Sequence, residues 1–327
     1  MRVIVIAAPG TADNLKVTEA PAPSPGPGQV LIDVAYGGCN FADVKIARGV
    51  YAHPKGYPLV AGLEVSGRVA RLGADVRGVA VGDPVAAFLE DAGGFADQCV
   101  AAADRLIPLP KGMTLDVAAS FPLQALTAWH LLHNVSVTRP GDVVLIHAIG
   151  GGLGLAATQL AVQAGATVIG TVGTRGKERR ALEFGAARVV NREDEDFVAA
   201  VMAFTKGKGV DKVLDSTGAA TLDRSFETIR RLGHVVSFSE VEGRPFPNLW
   251  ERLLAKSLTF TRFHLGHVDF ASDAWRTSLD EVVGAVAAGT LRIPIERIFP
   301  FDQAAAMLDR LASRQVSGKL VLAVNPP

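Results

Sequence analysis

A glycine-rich turn offers the clearest chemistry in the sequence. The apolar run Val143–Ala148 leads into Ile149-Gly150-Gly151-Gly152-Leu153-Gly154, and a stretch of helical pattern follows, Gly154–Ala164. A tight glycine turn lets backbone N–H groups and the positive end of a helix approach a pyrophosphate. The sequence therefore predicts a dinucleotide site, to which the turn contributes Gly151, Gly152, Leu153 and Gly154.

The tip of the next strand indicates which dinucleotide binds. An NAD-specific site usually has an acidic residue about 20 residues after the glycines, where it binds the ribose hydroxyls. This chain has Arg175-Gly176-Lys177 there instead. Because cations suit the 2′-phosphate of NADPH, we expect Arg175 and Lys177 to contact it. Arg192, just past the third strand, is expected to close the same pocket.

Further cations surround this tip. Arg179 and Arg180 fit a solvated helix face as well as they fit a phosphate contact, and the acidic run Glu193–Asp196 follows the cationic segment. The sequence predicts a local cationic patch large enough for a single 2′-phosphate.

Alternating strands and helices must position this site. From Val143 to Ser239, short apolar runs such as Thr167–Val172 alternate with helical stretches such as Thr221–Arg230. Strict alternation of this kind predicts a doubly wound parallel sheet. Thr217 and Phe238 follow later strands of this sheet, where the fold presents ligands, so both are candidate cofactor-binding residues.

The rest of the chain has a different pattern. Runs such as Val30–Tyr36 and Val65–Leu72 alternate with Gly and Pro turns, which predicts a mostly β domain. The C-terminal segment holds helical stretches at Ser272–Ala288 and Asp302–Ser313, and a final strand, Lys319–Val324, that can rejoin the first domain. We therefore assign residues 1–122 and 265–327 to the β-rich domain and residues 123–264 to an inserted nucleotide-binding domain.

The charge balance excludes some partners. The 327 residues include 33 Lys and Arg against 33 Asp and Glu, which argues against a nucleic-acid binder and against a protein held on an anionic membrane. Residues 143–174 carry no charge, but glycines interrupt them, so we interpret them as strand, turn and buried helix rather than as a membrane span. Met1–Ile6 is typical of an opening strand, and two cysteines form no disulfide framework. A cytoplasmic protein is expected.

Short motifs in a specific order give the chain a family resemblance. They are Pro25-Gly26-Pro27-Gly28-Gln29-Val30-Leu31-Ile32, Asn40-Phe41-Ala42-Asp43, Gly82-Asp83-Pro84-Val85, Leu126-Thr127-Ala128-Trp129, the glycine turn, Gly170-Thr171-Val172-Gly173-Thr174, Asp215-Ser216-Thr217-Gly218 and Val235-Val236-Ser237-Phe238. Over essentially the whole chain they resemble the medium-chain dehydrogenase/reductase superfamily, in its zinc-independent quinone oxidoreductase branch, which includes zeta-crystallin. The resemblance implies an α/β protein with a GroES-like β-rich domain, an inserted Rossmann domain, and assembly as a homodimer.

The zinc-ligand positions distinguish this branch from its zinc-dependent relatives. Those relatives place a Cys three residues before an Asp and a His before a Glu, because tetrahedral zinc needs thiolate and imidazole donors. Here Asn40 stands three residues before Asp43, and Leu63 stands before Glu64. Cys39 is displaced by one position, and the cysteine block of the structural zinc site has no counterpart. We expect no metal site.

The resemblance also implies site residues. Asn40 corresponds to a polar residue beside the nicotinamide, whose amide can bond the cofactor or the acceptor oxygen, and Asp43 and Thr127 correspond to positions near the ring. For Asp43, a cap on the following helix is an equal alternative. Gly173-Thr174 lies in the cofactor motif, and Arg314 corresponds to an Arg that reaches the cofactor phosphate, with a surface role as its alternative.

The acceptor side departs from the family pattern. Bacterial quinone reductases usually carry Tyr and Arg shortly after the Asp, whereas Lys45 and Ala47 stand here. Tyr51 remains, and His53 can donate a proton to a reduced acceptor, with a solvated loop histidine as the alternative. Four further side chains are candidates for the acceptor pocket or for the core: Phe41, Trp250, Phe263 and His264.

These features predict a soluble NADPH-dependent reductase. Without a metal to polarise the acceptor, hydride must pass to a compound that is already electron-poor, such as a quinone. Two alternatives stay open. One is a 2-alkenal or enone reductase of the same fold, and the other is a non-catalytic NADPH- or RNA-binding protein like the lens crystallin relatives.

Overall fold

The computed structural model describes residues 1–51, 53–243 and 248–327. They form two compact units. The β-rich unit comprises Met1–Gln124 and Asp269–Pro327, and the parallel-sheet unit comprises Ala125–Val268.

The described residues contain sixteen strands and ten α-helices. The strands are β1 (Arg2–Ile6), β2 (Leu15–Glu19), β3 (Gln29–Cys39), β4 (Leu59–Val60), β5 (Glu64–Leu72), β6 (Pro84–Phe88), β7 (Gln98–Ala102), β8 (Leu106–Pro108), β9 (Val143–His147), β10 (Thr167–Val172), β11 (Arg188–Asn191), β12 (Val210–Asp215), β13 (Ile229–Ser237), β14 (Thr259–Arg262), β15 (Ile295–Pro300) and β16 (Lys319–Ala323). The helices are α1 (Phe41–Ala47), α2 (Leu115–Ala118), α3 (Pro122–Trp129), α4 (Gly152–Gln163), α5 (Glu178–Glu183), α6 (Phe197–Phe204), α7 (Ala219–Thr228), α8 (Leu249–Lys256), α9 (Asp273–Ala287) and α10 (Ala304–Ala312). A π-helical segment, His130–Val135, follows α3.

Two sheets form the β-rich unit. One has the order β2-β1-β4, and the other has the order β15-β16-β3-β5-β6-β8, with β7 also paired to β3. Val30, Ile32 and Val34 alternate along β3 and are at most 1% exposed, so one face of this strand is in the core. The prediction that the final strand rejoins the first part of the chain is confirmed, because β16 pairs antiparallel with β3.

A single parallel sheet forms the second unit. Its order, β11-β10-β9-β12-β13-β14, is that of a doubly wound dinucleotide-binding fold, as predicted. Val144, Leu145 and Ile146 are all fully buried in β9, as expected for a strand covered on both faces. The uncharged stretch 143–174 is therefore strand, turn, helix and strand. Among the described residues, no helix has both the length and the apolar character that crossing a bilayer demands.

The sequence pattern misplaced one boundary and missed several elements. The helix predicted over Thr221–Arg230 ends at Thr228, because Ile229 pairs with Val210 and packs into the core of the parallel sheet. Pairing within the sheet thus overrides local helical pattern. The missed elements are the strands β2, β4, β7, β8, β14 and β15 and the helices α2, α3 and α8. Strand β14 is a four-residue strand at the sheet edge with no fully buried residue to mark it.

Two helical glycines test how closely the glycine turn packs. A Cβ at Gly154 would lie 2.6 Å from Ile149 Cα and 2.7 Å from Ala148 O, so Gly154→Ala should lower the free energy of unfolding by about 1–3 kcal/mol. A Cβ at exposed Gly284 in α9 would meet nothing within 4 Å. Gly284→Ala should therefore raise the free energy of unfolding by about 0.5–1 kcal/mol. Denaturant unfolding measures both, and equal effects would contradict close packing at the turn.

Candidate active site

The glycine turn of the parallel-sheet unit joins β9 to α4. Ala148 takes a left-handed φ of 51°, and Gly151 is the N-cap of α4. The first N–H groups of a helix have no partner within it, so those of Gly152, Leu153 and Gly154 are the donors that an anion can use. A Cβ at Gly150 would lie 2.6 Å from Lys177 O, so only glycine lets the β10–α5 loop pack against the turn.

Arg192 lies against the tip of β10. A Cβ at Gly173 would be 3.0 Å from its Nη2. Nη2 donates to Glu242 Oε1 at 2.9 Å and Nη1 donates to Thr221 Oγ1, which itself donates to Glu242 Oε2 at 2.8 Å. Arg192 Nε is buried and has no hydrogen-bond partner among the described residues. A buried donor without a partner is the kind of group that an anionic ligand satisfies.

The expected cationic patch is charge-paired in the structure. Arg175 donates from Nε to Asp194 Oδ1 at 3.1 Å, and Asp194 Oδ2 also accepts from Asn191 Nδ2 at 2.7 Å. Arg188 pairs with Glu195. The acidic run that follows β11 therefore supplies carboxylates to Arg175 and Arg188, which lie in the segment where the sequence predicted a cationic patch. Thr174 and Lys177 are half-buried, and Lys177 is the N-cap of α5.

The ends of β12 and β13 lie side by side. Thr217 Oγ1 donates to Asp215 Oδ1 at 2.5 Å, and Gly218 N donates to Oδ2 at 3.0 Å. Burial raises the pKa of Asp215 to about 6, although these bonds favour the charged form. Phe238 N donates to Asp215 O at 2.9 Å. The structure thus brings the predicted residues Thr217 and Phe238 together.

A buried histidine beneath the turn was not predicted. His147 Nδ1 is 2.8 Å from Thr171 Oγ1, and Nε2 is 2.8 Å from Ser225 Oγ. Ser225 Oγ in turn donates to Thr221 O, so His147 Nε2 is the donor and the ring is neutral. Burial, and secondarily the charge of Arg192, lower the pKa of His147 to about 3. His147 therefore ties β9 to β10 and α7 as a neutral crosslink.

A buried ionic network centres on Lys319 in the β-rich unit. The side chains of Lys319 and Glu64 are fully buried and form an ion pair. Lys319 Nζ also donates to Asn40 Oδ1 at 2.8 Å, and Asn40 Nδ2 donates to Glu64 Oε2 at 2.8 Å. Because an ammonium only donates, the Asn40 carbonyl must face Lys319 and its NH2 must face Glu64. The amide plane of Asn40 is thereby fixed.

The start of α3 completes this network. Leu123 N donates to Glu64 Oε1 at 2.7 Å, and Gln124 Nε2 donates to Asn40 Oδ1 at 3.3 Å. Gln124 Oε1 is buried without a hydrogen-bond partner among the described residues. A Cβ at Gly38 would lie 2.4 Å from Glu64 Oε2, so only glycine lets β3 approach the network so closely.

Asp43 caps α1, which favours the structural alternative for this residue. Its Oδ2 accepts from Asn40 N at 2.8 Å across the first turn of the helix. Burial raises the pKa of Asp43 to about 7, opposed by the bonds from backbone N–H groups and by the charge of Lys319. Burial thus favours the protonated form of Asp43 more than that of an ordinary Asp.

The donor set at the zinc-ligand positions does not fit zinc. Asn40 offers an amide already bonded to Lys319 and Glu64, Leu63 offers an alkyl group, and the cation beside Glu64 is an ammonium. The part of the chain that the structure describes contains no cluster of three or more His, Cys, Asp or Glu side chains arranged to hold a metal.

The loop after α1 holds the residues proposed for the acceptor side. His53 is 7% exposed, its Nε2 is 3.1 Å from Glu90 O, and its Nδ1 accepts from Lys55 N at 3.3 Å. His53 is thus a buried anchor of the loop rather than a solvated residue. Lys45 is also buried, and its Nζ lies 5.5 Å from the centroid of the Tyr51 ring.

The remaining predicted residues are dispersed. Thr127 is buried in α3, and Arg314 has a left-handed φ of 60° after α10. Trp250 is 75% exposed on α8, so it is not a core residue. Three others have specific surroundings: Phe41 begins α1, Phe263 stacks with His130 at 6.4 Å between ring centroids, and His264 Nδ1 accepts from Gly266 N at 3.1 Å.

Sequence reasoning missed five residues with central places in these arrangements: Glu64 as a network member, Gln124, Lys319, Thr221 and Glu242. Lys319 Nζ and Glu64 Oε2 come from positions 255 residues apart, so only the fold reveals their contact. The single local signal was an apolar final strand that begins with a lysine, Lys319-Leu320-Val321-Leu322. That strand runs through the core, so its lysine needed a buried partner.

Comparison with known proteins identifies both parts of the chain. Residues 26–111 match the family model for the alcohol dehydrogenase GroES-like domain, and residues 152–284 match that for zinc-binding dehydrogenase. A 2-haloacrylate reductase from a Burkholderia species is 36% identical over 97% of both chains. A quinone oxidoreductase from Pseudomonas aeruginosa is 33% identical over 98% of both chains. The structure of Escherichia coli quinone oxidoreductase complexed with NADPH superposes with a TM-score of 0.93 and 30% identity, covering 99% of this chain and 100% of that one.

Removing the ammonium of Lys319 should be costly to stability. Lys319→Met leaves Glu64 buried without its cation, so we expect the free energy of unfolding to fall by about 3–5 kcal/mol. Adding Glu64→Gln should recover part of this loss, since it removes the uncompensated charge. Lys55→Met is the control, because its partner Asp91 is 74% exposed and the pair should contribute at most about 1 kcal/mol. A Lys319→Met variant as stable as the control would contradict this account.

Asp43 should make stability fall as pH rises. Its pKa is raised in the fold, so the folded state binds more protons than the unfolded state between about pH 4 and 7. The stabilisation is complete below about pH 4 and is lost as pH approaches 7. Unfolding free energies measured at pH 5 and pH 8 should differ less in Asp43→Asn than in the wild type. Asp33→Asn, on the exposed side of β3, should retain the wild-type difference.

Proposed function

The chain belongs to the quinone oxidoreductase branch of the medium-chain dehydrogenase/reductase superfamily, and we propose that it transfers hydride from NADPH to quinone-type, electron-poor acceptors. The observation that carries this proposal is that the parallel-sheet unit has both a glycine turn after β9 and Arg192 at the tip of the neighbouring strand β10. Arg192 brings a buried Nε, which has no hydrogen-bond partner within the part of the chain that the structure describes, to the place where the doubly wound fold binds the adenosine ribose.

NADPH fits the groups that the parallel-sheet unit presents. The first turn of α4 offers backbone N–H groups for the pyrophosphate, and the glycines leave room for it to approach. Arg175, Lys177 and Arg192 are the cations that we assign to the 2′-phosphate. The similarity to a quinone oxidoreductase complexed with NADPH supports this assignment.

The residues of the chain bind and orient, while NADPH supplies the hydride when bound. We assign Thr217, Phe238, Thr127 and Arg314 to cofactor contacts, as the family resemblance implies. Asn40 acts as a rigid polar group, because Lys319 and Glu64 fix its amide plane. Asp43 holds the start of α1, and with it Asn40, in place.

The acceptor must be electron-poor. The side chains at the zinc-ligand positions do not fit a metal, and the cation in the core of the β-rich unit is a fully buried ammonium bonded to Glu64 and Asn40. A quinone accepts hydride without a metal to polarise it. Tyr51 and Lys45 are the residues we assign to the acceptor side.

Reduction of an activated C=C bond is the second candidate. The Burkholderia relative is named for 2-haloacrylate, an unsaturated carboxylate. Lys45 provides a buried ammonium beside Tyr51, which suits an anionic acceptor.

Assembly and location are also proposals. A homodimer is supported by the family resemblance and by the position of β14 at an edge of the parallel sheet, where it can pair with a second copy. A cytoplasmic location is supported by Cys39 and Cys99, which are both buried and unpaired.

Oxidation of NADPH across a panel of acceptors tests the proposed activity. We expect ortho- and para-quinones to be reduced, NADPH to bind more tightly than NADH in a calorimetric titration, and enones or 2-haloacrylates to be slower substrates. Faster turnover of 2-haloacrylate, abolished by Lys45→Met, would favour the second candidate. No NADPH binding would reject both.

A chelator provides the control for metal chemistry. Exhaustive treatment with a zinc chelator should leave NADPH oxidation unchanged, because the donor set does not fit zinc. A stoichiometric zinc signal in the purified protein, lost together with activity, would overturn this assignment.

A further inference from the structure

The half-buried ion pair between Arg192 and Glu242 lies where the cofactor phosphate is proposed to bind. The two side chains are 22% and 24% exposed, and their Nη2 and Oε1 atoms are 2.9 Å apart. We propose that Glu242 is a specificity-determining residue whose carboxylate competes with the 2′-phosphate of NADPH for Arg192. This inference rests on the proposed function, since it concerns how the same site distinguishes NADPH from NADH.

The hydrogen bonds of Arg192 show what the phosphate must compete with. Nη1 donates to Thr221, Nη2 donates to Glu242, and Thr221 also donates to Glu242, so a closed triad holds one face of the guanidinium. The buried Nε has no partner among residues 1–51, 53–243 and 248–327, and it can donate to a further acceptor. A phosphate that reaches this Nε comes close to the carboxylate of Glu242, and like charges at such range repel strongly where solvent is partly excluded.

The backbone around Glu242 keeps the carboxylate in place. Glu242 N donates to Thr217 O at 2.7 Å, Val241 N donates to Ser216 O at 3.3 Å, and Ala219 N donates to Gly243 O at 3.0 Å. These bonds fasten the segment after β13 to the loop after β12. The segment therefore cannot carry Glu242 away from Arg192 without breaking contacts that also shape the proposed cofactor site.

Asp194 opposes the phosphate in the same way but more weakly. It pairs with Arg175, whose side chain is 76% exposed, so solvent screens this pair. The carboxylate of Glu242 is better shielded and should have the larger effect. Both carboxylates neutralise the site before the cofactor arrives, which lowers the selectivity that the arginines alone would give.

Calorimetric titration with 2′,5′-ADP and 5′-AMP isolates the phosphate contact without turnover. Glu242→Gln preserves the shape of the triad and removes its negative charge, so it should bind 2′,5′-ADP about tenfold more tightly and 5′-AMP unchanged. The NADPH-to-NADH affinity ratio should widen by the same factor. Asp194→Asn should change 2′,5′-ADP binding in the same direction by a smaller factor.

Glu195→Gln is the matched control. It also removes a carboxylate from an arginine pair in the parallel-sheet unit, that of Arg188, and has no assigned cofactor contact. It should leave both affinities within twofold of the wild type. A general effect of net charge would instead change 2′,5′-ADP binding equally in Glu195→Gln and Glu242→Gln, and this would overturn the proposal.

The remaining outcomes separate this inference from the proposed function. If Glu242→Gln weakens or does not change 2′,5′-ADP binding while the wild type binds NADPH, Glu242 orients Arg192 or is irrelevant to it, and only the inference fails. If the wild type binds neither NADPH nor 2′,5′-ADP, the proposed function fails and the inference fails with it.

Discussion

The ammonium of Lys319 is the charge around which the core of the β-rich unit is organised. It is fully buried, and an isolated charge there would cost far more free energy than any single packing contact returns. Glu64 and Asn40 compensate it, and the start of α3 satisfies the second carboxylate oxygen of Glu64 through Leu123 N. Strand β16 is thereby locked to the beginnings of β5, α1 and α3. Segments that are distant in sequence thus meet at the ammonium nitrogen of Lys319.

Charge compensation of a different kind governs the parallel-sheet unit. There the arginines stay near the surface, and each of Arg175, Arg188 and Arg192 is matched by a carboxylate. A cation paired in this way remains available to an anion that binds more strongly than the carboxylate does. In the β-rich unit, the ion pair of Lys319 and Glu64 fixes the side chain of Asn40. In the parallel-sheet unit, the ion pairs hold arginines that can also bind an anionic ligand.

The sequence predicted those features that depend on local pattern. The parallel sheet followed from apolar runs of strand length, and the tight turn between β9 and α4 followed from its glycines, because both are properties of short contiguous segments. The sequence did not reveal that Lys319 meets Glu64 or that Arg192 meets Glu242, since these contacts join segments 255 and 50 positions apart. Asn40 and Arg192 were candidates from the sequence, but the sequence did not indicate the hydrogen-bond partners that determine what each side chain can do.

The chemistry of the acceptor is related to the compensation of the Lys319 charge by Glu64 and Asn40. At the positions where zinc-dependent relatives use metal ligands, this chain has Asn40 and Leu63. Asn40 and the neighbouring Glu64 instead accept hydrogen bonds from a fully buried ammonium. A buried ammonium bonded in this way compensates Glu64 within the core, and it is not the open metal site through which zinc polarises a substrate oxygen. The driving force for hydride transfer must then lie in the acceptor. A quinone or an activated alkene provides this driving force, because its own electron-withdrawing groups make it electron-poor without a metal.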